Sequence, residues 1–287
     1  MRPAVIYRFV LLAAVWGASF LFMRVAAPSL GFLWTAQIRA GLAGIALLIY
    51  LRFRKQKLEW RQNWRHYLMI GLLGSAIPFV LYSYAALKIP AGYSAILNST
   101  SPLWSVVLGV MFWRQRLHLR TCIGLLCGVG GVSLLVHLGP VAFSVEVVIG
   151  VLCCMGATIC YALTGEYTKR LAGTIASPLI ATGSQIGAAL FIAAPTLAFA
   201  PSPLHASVAA LAAALGLALL CSALAYLLFF GIIQEVGPVK ALSVTFLIPV
   251  FALLWSWLLL DEAVTLSMLA GCGLVIVAMA LVSQQKS

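Results

Sequence analysis

Ten stretches of this chain, each roughly 18–28 residues long, carry almost no charge, and that feature decides the solvent it folds in. They lie at about 5–27, 31–51, 66–87, 92–113, 120–137, 145–168, 176–198, 206–233, 238–260 and 264–283. A helix rises about 1.5 Å per residue, so roughly 20 apolar residues cross about 30 Å of hydrocarbon. Strands of a membrane barrel would instead alternate polar and apolar residues over about ten positions, which these stretches do not. Composition agrees: 63% of the 287 residues are hydrophobic and 8% charged, against about a quarter charged in a soluble domain. The expectation is an all-α integral membrane protein with ten transmembrane helices.

A net charge of +12 would point to nucleic acid in a soluble protein, but here the basic residues sit in membrane loops. Six of the 18 occupy "RFRKQKLEWRQNWR": Arg52, Arg54, Lys55, Lys57, Arg61 and Arg65. Basic loops stay in the cytoplasm. With that loop inside, alternation brings Arg2, Arg8, Arg114, Arg116, Arg120, Lys169, Arg170, Lys240 and Lys286 to the same side. Arg24 and Lys88 fall outside, and Arg39 lies within a span. The expected location is a cytoplasmic (inner) membrane, multi-pass, with both termini cytoplasmic. Arg2 and Arg8 before the first span, and "VAAP" after it, give that span a signal-peptide look; nine further spans favour an uncleaved helix. The partners expected are a small-molecule substrate and the lipid bilayer, with no nucleic acid. The sequence leaves the oligomeric state open.

Sliding the chain on itself by 147 residues lays Pro102 on Pro249, Ser75-Ala76 on Ser222-Ala223, Leu81 on Leu228 and Gly124 on Gly271. Toward the front the offset drifts, with Gln37-Ile38 on Gln185-Ile186 and Arg24 near Lys169. The expected domains are therefore a first repeat over 1–137 and a second over 145–283, five spans each. Five is odd, so the second repeat enters the membrane from the opposite side. The fourth span then ends inside, at Arg114-Gln115-Arg116, and its counterpart ends outside, at Asp261-Glu262. Reversed charge at matching ends marks inverted repeats, the architecture of alternating-access transporters.

Three stretches carry a family resemblance: "WGASF", "ALKIPAGYSAILNSTSPLWSVVLGVMFWRQRL" with "GLLCGVGGVSLL", and "IIQEVGPVKALSVTFLIPVFALLWSWLLLDEAVTLSMLAGCGLVIVAMAL". They resemble the two EamA domains of the drug/metabolite transporter superfamily across nearly the whole chain. In length and layout the chain is similar to the ten-helix aromatic amino-acid exporters of the YddG type. The resemblance implies export of small metabolites. The family's fourth-span helix closes with a Glu-containing turn; the second repeat has it as Glu262, and the first departs with Gln115. The superfamily's four-helix drug exporters carry a glutamate in their first span, where this chain has "VWGASF". That departure favours a neutral or zwitterionic metabolite over an organic cation.

No phosphate-cradling Gly-rich loop with Lys-Ser/Thr appears, which argues against an ATP-driven pump. His66, His118, His137 and His205 are scattered at span ends, and all seven cysteines lie in apolar spans with no metal-ligand spacing. Neither an enzyme nor a cofactor is expected. Glu166 and Arg39 are the coupling candidates, because intramembrane charges mark ion or substrate paths. Glu166 has Lys169 and Arg170 three and four residues on, so a helix-surface ion pair is favoured for it. Arg39 is expected to snorkel to the outer interface or take a structural partner, ahead of holding a substrate carboxylate.

Aromatics and hydroxyls share helix faces at three- and four-residue spacing: Trp16 with Ser19, Tyr82 with Ser75, Tyr161 with Thr158 and Thr164, Tyr226 with Ser222. Such faces suit a cavity for an apolar side chain with a polar head. Gly124, Gly128 and Gly131, and Gly183 and Gly187, form small-residue stripes for helix packing, whether within the chain or with a second copy. Ser94, Asn98, Ser101 and Ser105 form a stripe down the fourth span. Pro102 and Pro249 are expected to free the carbonyls of Asn98 and Thr245. The expected substrate site is thus Asn98 and Thr245 at the polar head, with Ser94, Ser101, Ser19, Trp16, Tyr82, Tyr161 and Tyr226 around them. The leading reading is a secondary exporter of amino acids or similar small metabolites. A multidrug or quaternary-ammonium exporter is the alternative within transport. A membrane scaffold or sensor is the alternative outside it.

Overall fold

The structure, a computed structural model, describes residues 3–113, 118–138, 144–171, 173–236, 241 and 243–283. Among them ten helical spans follow in order: α1 (Pro3–Leu30), α2 (Phe32–Phe53), α3 (Trp60–Ala85), α4 (Ala91–Phe112), α5 (Leu119–Leu138), α6 (Val145–Arg170), α7 (Ser177–Phe199), α8 (Val208–Val236), α9 (Ser243–Leu260) and α10 (Leu266–Ser283). No strand occurs among the described residues. Apolar length sets each span, and local chemistry sets its ends. Gly31, at φ 78°, turns α1 into α2 in a single residue, a conformation a side chain would strain. Ser144 and Ser207 cap α6 and α8, their hydroxyls accepting from Val147 N at 3.3 Å and Ala210 N at 3.2 Å.

Two irregularities recur at the 147-residue interval. α3 holds a π-helical turn at Leu72–Ala76, and α8 holds one at Leu219–Leu224. A π turn spends an extra residue and widens the helix, often at functional sites. Here each wide turn carries one of the matched serines, Ser75 or Ser222. α4 and α9 are interrupted near their prolines. α4 is two helices, Ala91–Asn98 and Ser101–Trp113, joined by a turn at Ser99–Thr100. α9 opens with a 3₁₀ turn, Ser243–Phe246, ahead of Ile248–Leu260. The sequence reading of continuous kinked helices is corrected to broken ones. Pro102 has no N–H to offer, and the turn before it is closed by the tighter Thr100 N to Leu97 O bond at 3.0 Å.

Packing interleaves the two halves of the chain. α5 packs on α10, α2 on α7 and α4 on α9; α1 packs on α8 and α9, α6 on α3 and α4, α3 on α7 and α2 on α8. Exchange the first five spans for the last five, and each of these pairs becomes another of the same set. The glycine stripes serve these contacts within the chain. A Cβ on Gly131 would lie 2.9 Å from the Gly271 carbonyl, and one on Gly124 would lie 3.0 Å from the Ala278 carbonyl. The 147-residue shift carries one of these contacts onto the other. In α7, a Cβ on Gly183 would sit 2.2 Å from the Tyr67 ring of α3. Two of these close approaches are to backbone carbonyls and one is to an aromatic ring, and glycine makes room for each.

Candidate functional site

Where the two halves interleave, α2 sends Arg39 inward. Its side chain is not at the outer interface, as snorkelling would have it: the residue is 7% exposed. Nε donates to Ser222 Oγ at 3.1 Å, Nη1 reaches Met23 Sδ at 3.7 Å, and the guanidinium lies 3.8 Å above the Phe79 ring centre. Snorkelling fails because the face carrying Arg39 is covered by α1, α3 and α8. Burying this charge costs about 3 kcal/mol or more, so the position demands a purpose. The chain holds six acidic residues. Glu166 pairs with Lys169, Glu235 with Arg8 and Glu262 with Arg24. Among the described residues no carboxylate pairs with Arg39.

Beyond Ser222, Met23 and Phe79, further hydroxyls, an amide and aromatic rings lie in the same part of the bundle. Gln185 of α7, fully buried, donates from Nε2 to Ser75 Oγ at 2.8 Å, and its Oε1 has no partner among the described residues. Tyr226 and Tyr161 both lie within electrostatic reach of Arg39, and Tyr226 is a neighbour of Ser75. Tyr161 stacks on Tyr82 with ring centres 6.1 Å apart. The buried Tyr82 donates its hydroxyl to Asn98 Oδ1 at 2.9 Å. Tyr161, Tyr82 and Asn98 thus form one line from α6 through α3 to the break in α4, with Arg39 of α2 within electrostatic reach of its Tyr161 end. Across the molecule Trp16 of α1 meets Phe229 of α8 at 5.3 Å. Trp16 and Tyr161 are 145 residues apart, Phe229 and Tyr82 147 apart, so this pair is the repeat counterpart of Tyr161–Tyr82.

Several predicted donors are spent on their own helices. Ser19 Oγ donates to Trp16 O at 2.6 Å and Thr158 Oγ1 to Met155 O at 2.8 Å. Ser101 Oγ donates to Asn98 O at 2.7 Å. The Asn98 carbonyl, expected to be free beside Pro102, is therefore occupied, and a neighbouring serine occupies it. The stripe from Ser94 to Ser105 is cut in two by the Ser99–Thr100 turn, and Ser94 is buried beside Cys154. Thr245 is half-buried in the 3₁₀ turn, which packs on α1. Its pairing with Asn98 around one polar head rests on the repeat relation alone. Glu166, near the end of α6, is tied to Lys169, which is 71% exposed. Sequence reasoning did not place Gln185 and Phe79 in the site, and it read Ser75 and Ser222 only as hydroxyls sharing a cavity face with Tyr82 and Tyr226. Ser75 with Ser222, and Gln37 with Gln185, were visible as repeat identities.

A groove of about 510 Å³ lies elsewhere, between α2 and α8, lined by Gln37, Ile38, Gly41, Leu42, Ile45, Leu211 and Leu215. Its exposed Ile45, Leu211 and Leu215 place it on the outside of the bundle. At one face, Glu262 gathers three elements. It pairs with Arg24 of α1 at 3.4 Å, accepts Ala91 N at the start of α4 at 3.1 Å, and accepts the Ser256 hydroxyl of α9. Arg24 also donates to Ala86 O at 2.6 Å.

Comparison with known proteins agrees with this architecture. The chain is 28% identical to the uncharacterized transporter YvbV of Bacillus subtilis (strain 168), covering 98% of this chain and 92% of that one. It is 26% identical to protein PecM of Dickeya dadantii (strain 3937), covering 93% and 88%. It is also 26% identical to the uncharacterized inner membrane transporter YedA of Escherichia coli (strain K12), covering 95% and 88%. One crystal structure superposes with a TM-score of 0.67 at 19% identity, covering 98% of this chain and 96% of the other, which shows the shared fold. The model of the EamA-like transporter family matches residues 4–137 and 148–284. This multi-pass membrane protein belongs to the EamA-like transporter family, within the drug/metabolite transporter superfamily.

Proposed function

We propose that the chain is a secondary exporter of amino acids or similar small metabolites, working by alternating access between two inverted five-helix repeats. The observation that carries this reading is that the links at the polar centre join the two halves. Arg39 to Ser222 joins α2 to α8, Ser75 to Gln185 joins α3 to α7, and Tyr82 to Tyr161 joins α3 to α6. A centre built across two halves is remade whenever they rock against each other. A scaffold or sensor would gain nothing from polar groups there and would fill the positions with Leu, Ala or Gly. The chemistry asks for no cofactor, and the site has the character of a binding site rather than an enzyme's.

The membrane proposed is the cytoplasmic one, supported by the name of the relative YedA, with both termini in the cytoplasm. The partners are the bilayer and a small solute, not nucleic acid. A quaternary-ammonium exporter is the weaker reading, because a buried guanidinium repels a cation. The test is transport by purified protein in proteoliposomes, offered a panel of radiolabelled amino acids and organic cations. Accumulation of at least one amino acid above protein-free vesicles is expected; a protein that moves only cations would reject this cargo.

A further inference from the structure

Arg39 is the only basic residue of the described spans that is both buried and without an acidic partner or a place near a span end. A guanidinium has five N–H donors. Here one goes to a serine hydroxyl and another to a thioether sulfur, a weak acceptor, while Nη2 bonds no described residue. Phe79 covers one face of the guanidinium plane, and Nη2, part of the fork that matches a carboxylate, is the nitrogen left without a partner among the described residues. All six acids of the chain lie among the described residues, and none supplies that carboxylate. An isolated buried charge is costly unless it is hydrogen-bonded and paired, and within the chain this one is hydrogen-bonded but not paired.

We propose that Arg39 is the anchor for a single carboxylate on the cargo, so that the transported molecule is a zwitterion or monoanion and not an organic cation. This deepens the exporter reading and rests on it. The surroundings fix the valence. One guanidinium, bonded to Ser222 and within electrostatic reach of Tyr226 and Tyr161, balances one negative charge. A phosphate dianion would leave a charge uncompensated. The unpartnered Oε1 of Gln185, fully buried in the same cluster, is an acceptor for a donor such as an ammonium group. Tyr82, Tyr161 and Tyr226 supply ring faces for an apolar or aromatic side chain. The device is asymmetric: at the 148-residue offset of Gln37 and Gln185, the place of Arg39 in the second repeat is Gly187. One charge therefore serves both orientations of the site.

Three probes of one ring and chain length separate the charge classes: L-phenylalanine (zwitterion), 3-phenylpropionate (anion) and phenethylamine (cation). Full-length protein in proteoliposomes is expected to take up one or both carboxylates and to discriminate against the amine at least tenfold. Arg39→Gln should erase that discrimination at least tenfold, and Arg39→Lys, which keeps the charge but not the fork, should raise the carboxylate KM while keeping the preference. Should Arg39→Gln fail to insert, Ser222→Ala serves instead, with a severalfold rise in carboxylate KM expected. Carboxylate transport within twofold of wild type in the Arg39→Gln protein, or in Ser222→Ala where that is the variant used, would overturn the anchor. Uptake of the amine alone by the wild type would overturn it too but leave an exporter standing. Uptake of none of the three would overturn both.

Discussion

Asn98 and Tyr82 hold each other at 2.9 Å, and Tyr82 is 2% exposed. Removing the tyrosine hydroxyl leaves the amide oxygen unpaired, at a cost of about 1–2 kcal/mol. Tyr82→Phe should therefore slow transport severalfold, and Asn98→Leu should slow it further, while both proteins stay monodisperse in detergent. Wild-type rates in both would remove the pair from the transport path. Glu166 behaves differently. Its pair with Lys169 sits on a helix surface and is worth at most about 1 kcal/mol. Glu166→Gln should leave pH-driven uptake unchanged; loss of that drive with exchange retained would make Glu166 the coupling acid. At this scale the sequence was readable in part. Arg39 was visible as an intramembrane charge, but its burial depends on which helices cover its face, and that is tertiary information. Ser19 and Ser101 were read as donors to a site, yet in a helix a serine reaches its own preceding carbonyls first.

The ten spans were legible because apolar length alone defines them, and their bounds fall within a few residues of the expected ones except where caps or loops extend them. The breaks in α4 and α9 were legible only as kinks. Proline shows that a bond is lost, not how the chain around it resettles. The π turns carried no proline rule common to both repeats, since Pro78 corresponds to Ala225. Their repetition was visible only through Ser75 and Ser222. Helix contacts make a sharp test here. Gly183→Leu would drive a side chain into Tyr67, and Gly131→Leu would drive one into the Gly271 backbone. Each should destabilise the fold by about 3 kcal/mol, read as loss of monodisperse protein or a lower Tm. Gly41→Ala, where nothing lies within 4 Å of the added carbon, should be tolerated. Glu262→Ala should unfasten α4 from α1 and α9 and lower the Tm by roughly 5 °C, for about 2 kcal/mol lost.

The whole molecule is two halves whose packing pairs interchange, with the polar centre between them and the acidic latch at Glu262 on one face. The orientation proposed from loop charge has a direct test: single cysteines in the Arg52–Arg65 loop should resist impermeant reagents in intact cells, and one at Asp261 should label. Labelling at Asp261 only after permeabilisation would remove the inverted topology. Rocking of the halves is the central claim, and spin-label distances measure it most directly. One pair, at Leu87 and Asp261, spans the ends of α3 and α9 proposed to lie outside. The other, at Gln234 and His118, spans the end of α8 and the segment leading into α5, both proposed to lie inside; Leu87 and Gln234 are 147 residues apart. Adding a transported carboxylate probe should shift the two distances in opposite senses, one closing as the other opens. Distances that both stay fixed, or both lengthen together, would contradict alternating access around the Arg39 centre.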